Sequence, residues 1–293
     1  MKKIIPIVLL ALAAWSCQPA KEKTTETALD STFVKERTAF MSNMKSAQES
    51  AAQIQATGAD FNPALMNIPI NYAELGADTL KRAANLGVYL ADLNYSVAYK
   101  QSENTKEIFQ SAYNLSKSLG IDEAMLSFIS QRYETNIGQN DSVKSAINEL
   151  FKHATESIQG TQKERVLGVV MSGYTMENLH LALGAIETYP KDILPEDSRI
   201  QILVPLFKMV LLQEPQVESV YAFLRTLGDP SDPERTPNFA FFDQSFSELL
   251  EVYQRLNVDE AISNNQGSAL MNDAVVAELS SKVNAIRNKI VTP

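Results

Sequence analysis

The chain has 293 residues, a formal net charge of −9 at pH 7 and a single cysteine, Cys17. One cysteine excludes an intramolecular disulfide framework, so a packed hydrophobic core has to stabilise the fold. The acidic balance disfavours nucleic acid and anionic lipid headgroups as partners, because both repel a negatively charged surface.

Residues 1–16 are typical of a signal peptide. Met1-Lys2-Lys3 gives a positive start, and Ile4–Ala14 is an apolar run too short to span a bilayer as a mature helix. The run Ala14-Trp15-Ser16-Cys17 is similar to a bacterial lipobox, in which the cysteine is lipidated and becomes the first residue, although Trp15 is larger than the residue usual there. The alternative is an ordinary secretory signal that happens to end near a cysteine.

Lipidation of Cys17, with palmitate among the acyl chains, would make the membrane a partner through the lipid alone. Several chains anchor a protein stably where one chain does so only marginally. Gln18 follows the cysteine in place of the aspartate that retains lipoproteins in the inner membrane of enteric bacteria, so we expect the outer membrane. The sequence leaves open whether the protein faces the periplasm or the cell surface.

After Cys17 the chain divides into a polar tether and a helical domain. Residues 18–28 lack large apolar side chains, and residues 17–29 are predicted to form the lipidated cysteine and a flexible tether. Residues 30–293 form the domain, with a sub-boundary considered near 158–161. The apolar residues of the domain recur at helical spacing almost throughout, and no alternating run is long enough for a sheet. The predicted fold class is therefore all-α, a bundle of about nine or ten helices.

The predicted helices follow one another with short breaks at glycine, proline and capping residues. They cover 33–54, 75–99, 102–119, 122–133, 141–158, 161–187, 200–212, 215–227, 242–256 and 271–290. A loop marked by Gly58, Pro63 and Pro69 follows the first helix, and Pro205 is expected to kink or divide the helix at 200–212. Arg82–Val88 and Glu164–Val169 are similar, which indicates either two related halves or a chance match between two core helices.

Glycine and aspartate residues predict how these helices start, stop and pack. Gly120 is expected to end the helix at 102–119. Four glycines inside long helices lower helix propensity and are expected where helices approach closely; they are Gly87, Gly168, Gly173 and Gly184. Asp30, Asp78 and Asp141 each precede Ser or Thr, in runs that look like O-glycosylation sites, but each also has the features of a helix N-cap.

A possible metal site involves the motif Glu177-Asn178-Leu179-His180. Glu177 and His180 have the Glu-x-x-His spacing of di-iron sites in helix bundles, which place both side chains on one helix face. Such sites need a second copy of the motif and two more glutamates, and the chain does not supply that set. The competing interpretation is a polar seam with a hydrogen-bonded His180. No cofactor is predicted.

Polar and aromatic residues within two otherwise apolar helices form the second candidate site. These residues are Asp92, Asn94, Tyr95 and Tyr99 from one helix, and Tyr174, Asn178 and His180 from the other. They would line a ligand pocket if the two helices pack together. The competing interpretation is a set of buried polar groups that hydrogen-bond to one another without a ligand.

Several short runs resemble a group of helical lipoproteins of Bacteroidota whose function is unknown. The runs are Gly87-Val88-Tyr89-Leu90-Ala91-Asp92-Leu93-Asn94-Tyr95, Leu119-Gly120-Ile121, Arg132-Tyr133-Glu134 and Asn140-Asp141-Ser142. The resemblance covers roughly residues 75–190. It implies a helical fold and a location in the cell envelope, and it transfers no catalytic or binding residue to this chain.

Two hypotheses about function follow. The first is a lipid-anchored envelope lipoprotein whose helical domain is a non-catalytic binding or accessory module, with an envelope protein or a small ligand as its partner. The second is a helical metal-binding protein or enzyme with a site near Glu177 and His180. The first is preferred because the chain contains no catalytic constellation of the familiar kinds.

Overall fold

The computed structural model describes residues 35–36, 38–39, 49–69, 72–121, 162–190, 192, 194–227, 237–256 and 274–293. Cys17, the signal peptide, the tether and the predicted helices at 122–133 and 141–158 lie outside these residues. Within them the fold is all-helical and contains no strand, which confirms the predicted class. The total of nine or ten helices and the relation between two halves stay predictions.

Seven long α-helices make up most of the described part of the chain. They are α1 (Thr79–Ala98), α2 (Ser102–Ser118), α3 (Gln162–Thr188), α4 (Glu196–Leu211), α5 (Glu214–Thr226), α6 (Pro237–Leu256) and α7 (Ala274–Val291). Residues 49–56 are also helical, and two short 3-10 turns lie at Pro63–Leu65 and Tyr72–Leu75. None of the described helices is long and apolar enough to cross a membrane.

The predicted capping residues of α1 and α2 agree with the structure, although α1 begins at Thr79 rather than at residue 75, which belongs to the preceding 3-10 turn. The Asp78 carboxylate accepts hydrogen bonds from the backbone N–H groups of Leu80 and Lys81, at 3.0 and 3.1 Å, and so caps α1. Gly120 follows the last residues of α2 with φ of 68°, a backbone conformation that glycine adopts without strain. Pro205 does not divide α4, because the buried side chains of Leu203 and Leu206 hold the helix against the core.

Helices α1 and α3 form the centre of the bundle and pack against each other more extensively than any other described pair. Helix α2 lies against α1, while α4, α5 and α7 lie against α3, and α6 packs on α5 and α7. Every residue from Ala83 to Ala98 is buried, so α1 is enclosed on all sides. Polar side chains on α1 and α3 therefore face other protein groups rather than solvent.

The central crossing depends on two glycines. A Cβ atom built on Gly87 would lie 2.0 Å from the backbone oxygen of Val170, and one built on Gly173 would lie 2.0 Å from that of Ala84. No side chain fits at such distances, so the two backbones touch directly. The prediction that these glycines mark a close approach of helices is confirmed.

Candidate functional site

A buried ion pair joins α3 to α7. The Arg287 guanidinium donates from Nε to Oε2 of Glu177 at 2.7 Å and from Nη2 to Oε1 at 2.9 Å. Glu177 is completely buried, and the Arg287 side chain is 12% exposed. The two parallel hydrogen bonds are the strong, orienting geometry of an arginine–carboxylate pair. Both oxygens of Glu177 are therefore engaged by a cation.

Asp92 on α1 is a second carboxyl group beside this pair. Its Oδ2 accepts the backbone N–H of Asn67 at 2.9 Å, and its Oδ1 accepts no hydrogen bond from the described residues. Burial raises the pKa of Asp92 well above its ordinary value, and the neighbouring carboxylate of Glu177 raises it further. One guanidinium cannot neutralise two buried carboxylates, so burial beside Glu177 favours the protonated form of Asp92.

The segment of residues 59–69, here called the covering segment, lies over this cluster and is held mainly by its backbone. The backbone oxygen of Leu65 accepts from Nε2 of His180 at 3.1 Å and from Nη2 of Arg287 at 3.3 Å. The Tyr89 hydroxyl donates to the backbone oxygen of Ile68 at 3.0 Å. Together with the Asn67–Asp92 bond, these contacts attach the covering segment to α1, α3 and α7 at once.

Both ring nitrogens of His180 have hydrogen-bond partners. A backbone oxygen can only accept, so Nε2, facing Leu65, carries a proton. Nδ1 lies 2.7 Å from the side-chain oxygen of Asn284. Asn284 in turn donates to the Ser280 hydroxyl at 3.4 Å, and Ser280 donates to Glu187. The histidine is thus the inner end of a polar chain that runs along α7 towards the surface.

An open cleft of about 380 Å³ lies beside the cluster, between the covering segment and the C-terminal end of α3. This volume is within the range of about 300–1,000 Å³ usual for small-molecule sites. Its lining includes Phe61, Asn62, Tyr95, Thr188, Tyr189 and Pro190. Leu65 also lines the cleft, so the residue that roofs the ion pair forms part of the cleft wall.

Hydrogen bonds and ring contacts hold the cleft wall in place. The Tyr95 hydroxyl accepts the backbone N–H of Asn62 at 3.1 Å, and the Tyr99 hydroxyl donates to the backbone oxygen of Ala59 at 2.8 Å. The ring of Phe61 stacks on that of Tyr95, with centroids 5.4 Å apart. The Asn62 side chain reaches the Thr188 hydroxyl at 3.4 Å. The cleft is therefore built from an ordered wall.

The structure places the sequence-predicted residues in three different settings. Tyr95 lines the cleft, and Asp92 and His180 belong to the buried cluster. Tyr174 and Asn178 lie deeper in the core: the Tyr174 hydroxyl accepts from Asn94 at 2.9 Å, and Asn178 donates to the backbone oxygen of Tyr174 at 2.8 Å. Helices α1 and α3 do pack together, as the prediction required. Of these residues, Tyr95 belongs to the described lining of the cleft, and a pocket shared by all of them stays a prediction.

Sequence reasoning missed Arg287, Phe61 and Tyr189. Arg287 lies four residues after Val283 in the buried stripe of α7, and a charge at that spacing signals a paired cation. Phe61 stands beside Asn62 in a segment without periodicity, and Tyr189 follows the last turn of α3, so neither had a pattern to identify it.

The metal hypothesis stays a prediction. Among the described residues, no group of three or more His, Cys, Asp or Glu side chains is placed to hold a metal ion. Glu177 is bound at both oxygens by Arg287, and His180 by Leu65 and Asn284. A metal at this position would have to displace those partners.

No protein-family model matches the chain, and searches of curated proteins and of solved structures returned no match. A function for this protein therefore has to be inferred from the geometry of the cleft and of the buried cluster formed by Asp92, Glu177, His180 and Arg287.

Proposed function

We propose that the protein is a lipid-anchored lipoprotein of the cell envelope, and that its helical domain is a non-catalytic module that binds a small ligand in the cleft. The observation that carries the proposal is a cleft of about 380 Å³ with an ordered wall. A wall that is already ordered does not lose conformational freedom when a ligand enters, which favours affinity. Ligand sites are also commonly concave, preformed and partly aromatic.

The buried cluster supports a binding role rather than a catalytic one. Asp92, Glu177 and Arg287 are directed at one another and at the covering segment, and they lie behind the cleft wall rather than in its lining. Their hydrogen bonds position residues 59–69, which supply one side of the cleft. A charged network of this kind supports a rigid ligand site.

The envelope location rests on the sequence. The apolar run before Cys17, the lipobox-like residues 14–17 and the polar stretch to residue 29 support an anchored domain with some reach from the membrane. Gln18 supports the outer membrane. Metabolic labelling with a palmitate analogue tests the anchor: the wild-type protein takes up label, and a Cys17→Ala variant does not.

The binding role is tested by purifying the protein from its own membranes after mild crosslinking and identifying what accompanies it by mass spectrometry. A Thr188→Trp variant, which places a large ring in the cleft, serves as the comparison. We expect a bound compound with the wild-type protein that is lost from Thr188→Trp. If both proteins carry the same companions, or neither carries any, the cleft is not the binding site.

A further inference from the structure

We infer that the cleft takes a compact organic cation, such as the methylated ammonium group of a small molecule. This inference rests on the proposed function and specifies the chemical class of the ligand. Three features of the cleft carry it: the sign of the charge among the described lining residues, the aromatic residues of the lining, and its size.

The charge of the lining is negative. Asp60 is the one formally charged residue among the described residues that line the cleft, and none of those residues is a lysine, arginine or histidine. Among these described residues an anionic ligand would meet a carboxylate and no cationic partner. A cationic ligand would meet a complementary charge, and the net charge of −9 adds a favourable long-range field.

Aromatic side chains supply the second feature. Phe61, Tyr95 and Tyr189 all line the cleft, and the first two stack on each other. The electron-rich faces of aromatic rings attract cations, and such sites recognise methylated ammonium groups in particular. Tyr95 is 1% exposed and its ring packs on Phe61 and Tyr99, so Phe61 and Tyr189 supply the partly exposed aromatic surface of the lining. Such a surface in the same lining as a carboxylate favours a bulky, weakly hydrated cation over a neutral ligand of the same shape.

The size of the cleft and its neutral polar groups further restrict the chemical class of the ligand. A volume of about 380 Å³ exceeds what a bare metal ion needs, and a metal would also require several carboxylates where the described lining offers Asp60. Asn62 and Thr188 are engaged with each other, and the Thr188 hydroxyl donates to the backbone oxygen of Gly184. These groups can accept one further hydrogen bond from a ligand. They do not provide the several hydrogen bonds that a large polar ligand would need.

The test compares two probes of the same shape and different charge. Choline and its neutral isostere 3,3-dimethyl-1-butanol are titrated into the detergent-solubilised, lipidated protein, and binding is followed by calorimetry and by ligand-observed NMR. We expect choline to bind about tenfold more tightly than the isostere. Equal affinities would overturn the inferred class and would leave the cleft as a ligand site.

Two matched variants test whether the preference for choline over its neutral isostere arises in the cleft. Asp60→Asn is expected to lower choline affinity about tenfold and to leave the weak binding of the isostere unchanged. Glu218→Gln on α5 removes the same charge from an exposed position outside the cleft lining, and it should leave both affinities as in the wild-type protein. Equal effects of the two variants would overturn the inference, because the preference would then come from net charge alone.

Failure of the inference and failure of the proposed function are distinguishable. If neither probe binds, the cation class is wrong. The proposed function fails as well if, in the purification from membranes, Thr188→Trp retains the companions of the wild-type protein or neither protein carries any.

Discussion

Gly87 and Gly173 bring the backbones of α1 and α3 into direct contact at the centre of the bundle. The contact places Asp92, one and a half turns further along α1, beside Glu177, one turn further along α3. The close crossing and the buried carboxyl pair are therefore parts of one arrangement. Widening the crossing would separate the carboxyl groups and displace the covering segment above them.

Replacing Gly173 by alanine tests the crossing. The new methyl group would meet the backbone of Ala84, which cannot move away as a side chain can, so we expect a loss of about 3 kcal/mol in the free energy of unfolding. Gly168→Ala is the control in the same helix. Its methyl group would meet the end of the Leu227 side chain, and the gain in helix propensity offsets part of the cost. Urea denaturation of both variants measures the difference, and similar losses would contradict the argument.

The buried carboxyl pair predicts a dependence of stability on pH. Burial, with Glu177 as the second cause, raises the pKa of Asp92 well above 3.8 in the folded protein. Folded protein then binds one more proton than unfolded protein between the two pKa values, so stability falls as pH rises through that window. Above the pKa that Asp92 has in the folded protein, its contribution to stability is completely lost. Below pH 3.8 that contribution is fully present.

Asp92→Asn removes this dependence. The amide keeps an acceptor for the backbone N–H of Asn67 and offers an N–H to Glu177 at every pH, with Arg287 still paired. We expect the free energy of unfolding of the variant, measured by urea denaturation, to rise relative to that of the wild-type protein as pH increases from 4 to 9. The control is Asp78→Asn, which keeps the N-cap of α1 because asparagine caps equally well. It removes one carboxylate without changing the buried cluster, so it reports the effect of net charge alone. Parallel curves for both variants would show that Asp92 is not the titrating group.

Arg287→Met should be among the most damaging single substitutions in the described part of the chain. It leaves the completely buried Glu177 without its cation and removes one donor from the Leu65 oxygen. Breaking a buried ion pair in this way costs about 3–5 kcal/mol. Adding Glu177→Gln should recover part of the loss, because the remaining partner is then neutral. A double-mutant cycle measured by urea denaturation checks the coupling, and simple additivity would disprove it.

Tyr95→Phe should loosen the cleft wall without unfolding the bundle. The substitution removes the acceptor for the backbone N–H of Asn62 but retains the ring that stacks on Phe61. We expect a cost of about 1 kcal/mol and faster hydrogen exchange at Asn62. The amide of Asn67, which is bonded to Asp92, serves as the internal reference. Exchange that accelerates equally at both amides would show that the covering segment opens as one unit instead.

The parts of the fold that were predictable depend on contacts close in sequence. The cap at Asp78 and the helix end at Gly120 follow from the side chain or conformation of a single residue. The glycines of α1 and α3 revealed a close approach because glycine inside a long helix is otherwise unfavourable. Apolar periodicity was enough to identify the class as all-α.

The arrangement of the site was not predictable, because it depends on residues far apart in the chain. Arg287 meets Glu177 across 110 positions and Leu65 across 222. The covering segment has no periodicity, and it is held through backbone groups that every residue possesses. Grouping the polar residues of α1 and α3 was sound as a statement of proximity, but Tyr174 and Asn178 hydrogen-bond within the core while Tyr95 belongs to the lining of the cleft.

The oxygen that receives both His180 and Arg287 belongs to the main chain of Leu65. Replacing the side chain at position 65 leaves that backbone oxygen in place, whereas replacing His180 or Arg287 removes one of its two hydrogen bonds. During evolutionary drift, position 65 can therefore vary as far as the space beside Gly184 permits, while positions 180 and 287 are constrained together. Relatives of this protein would then share the donors at positions 180 and 287. The backbone acceptor at position 65 would not be visible in a sequence comparison, because every residue type has that oxygen.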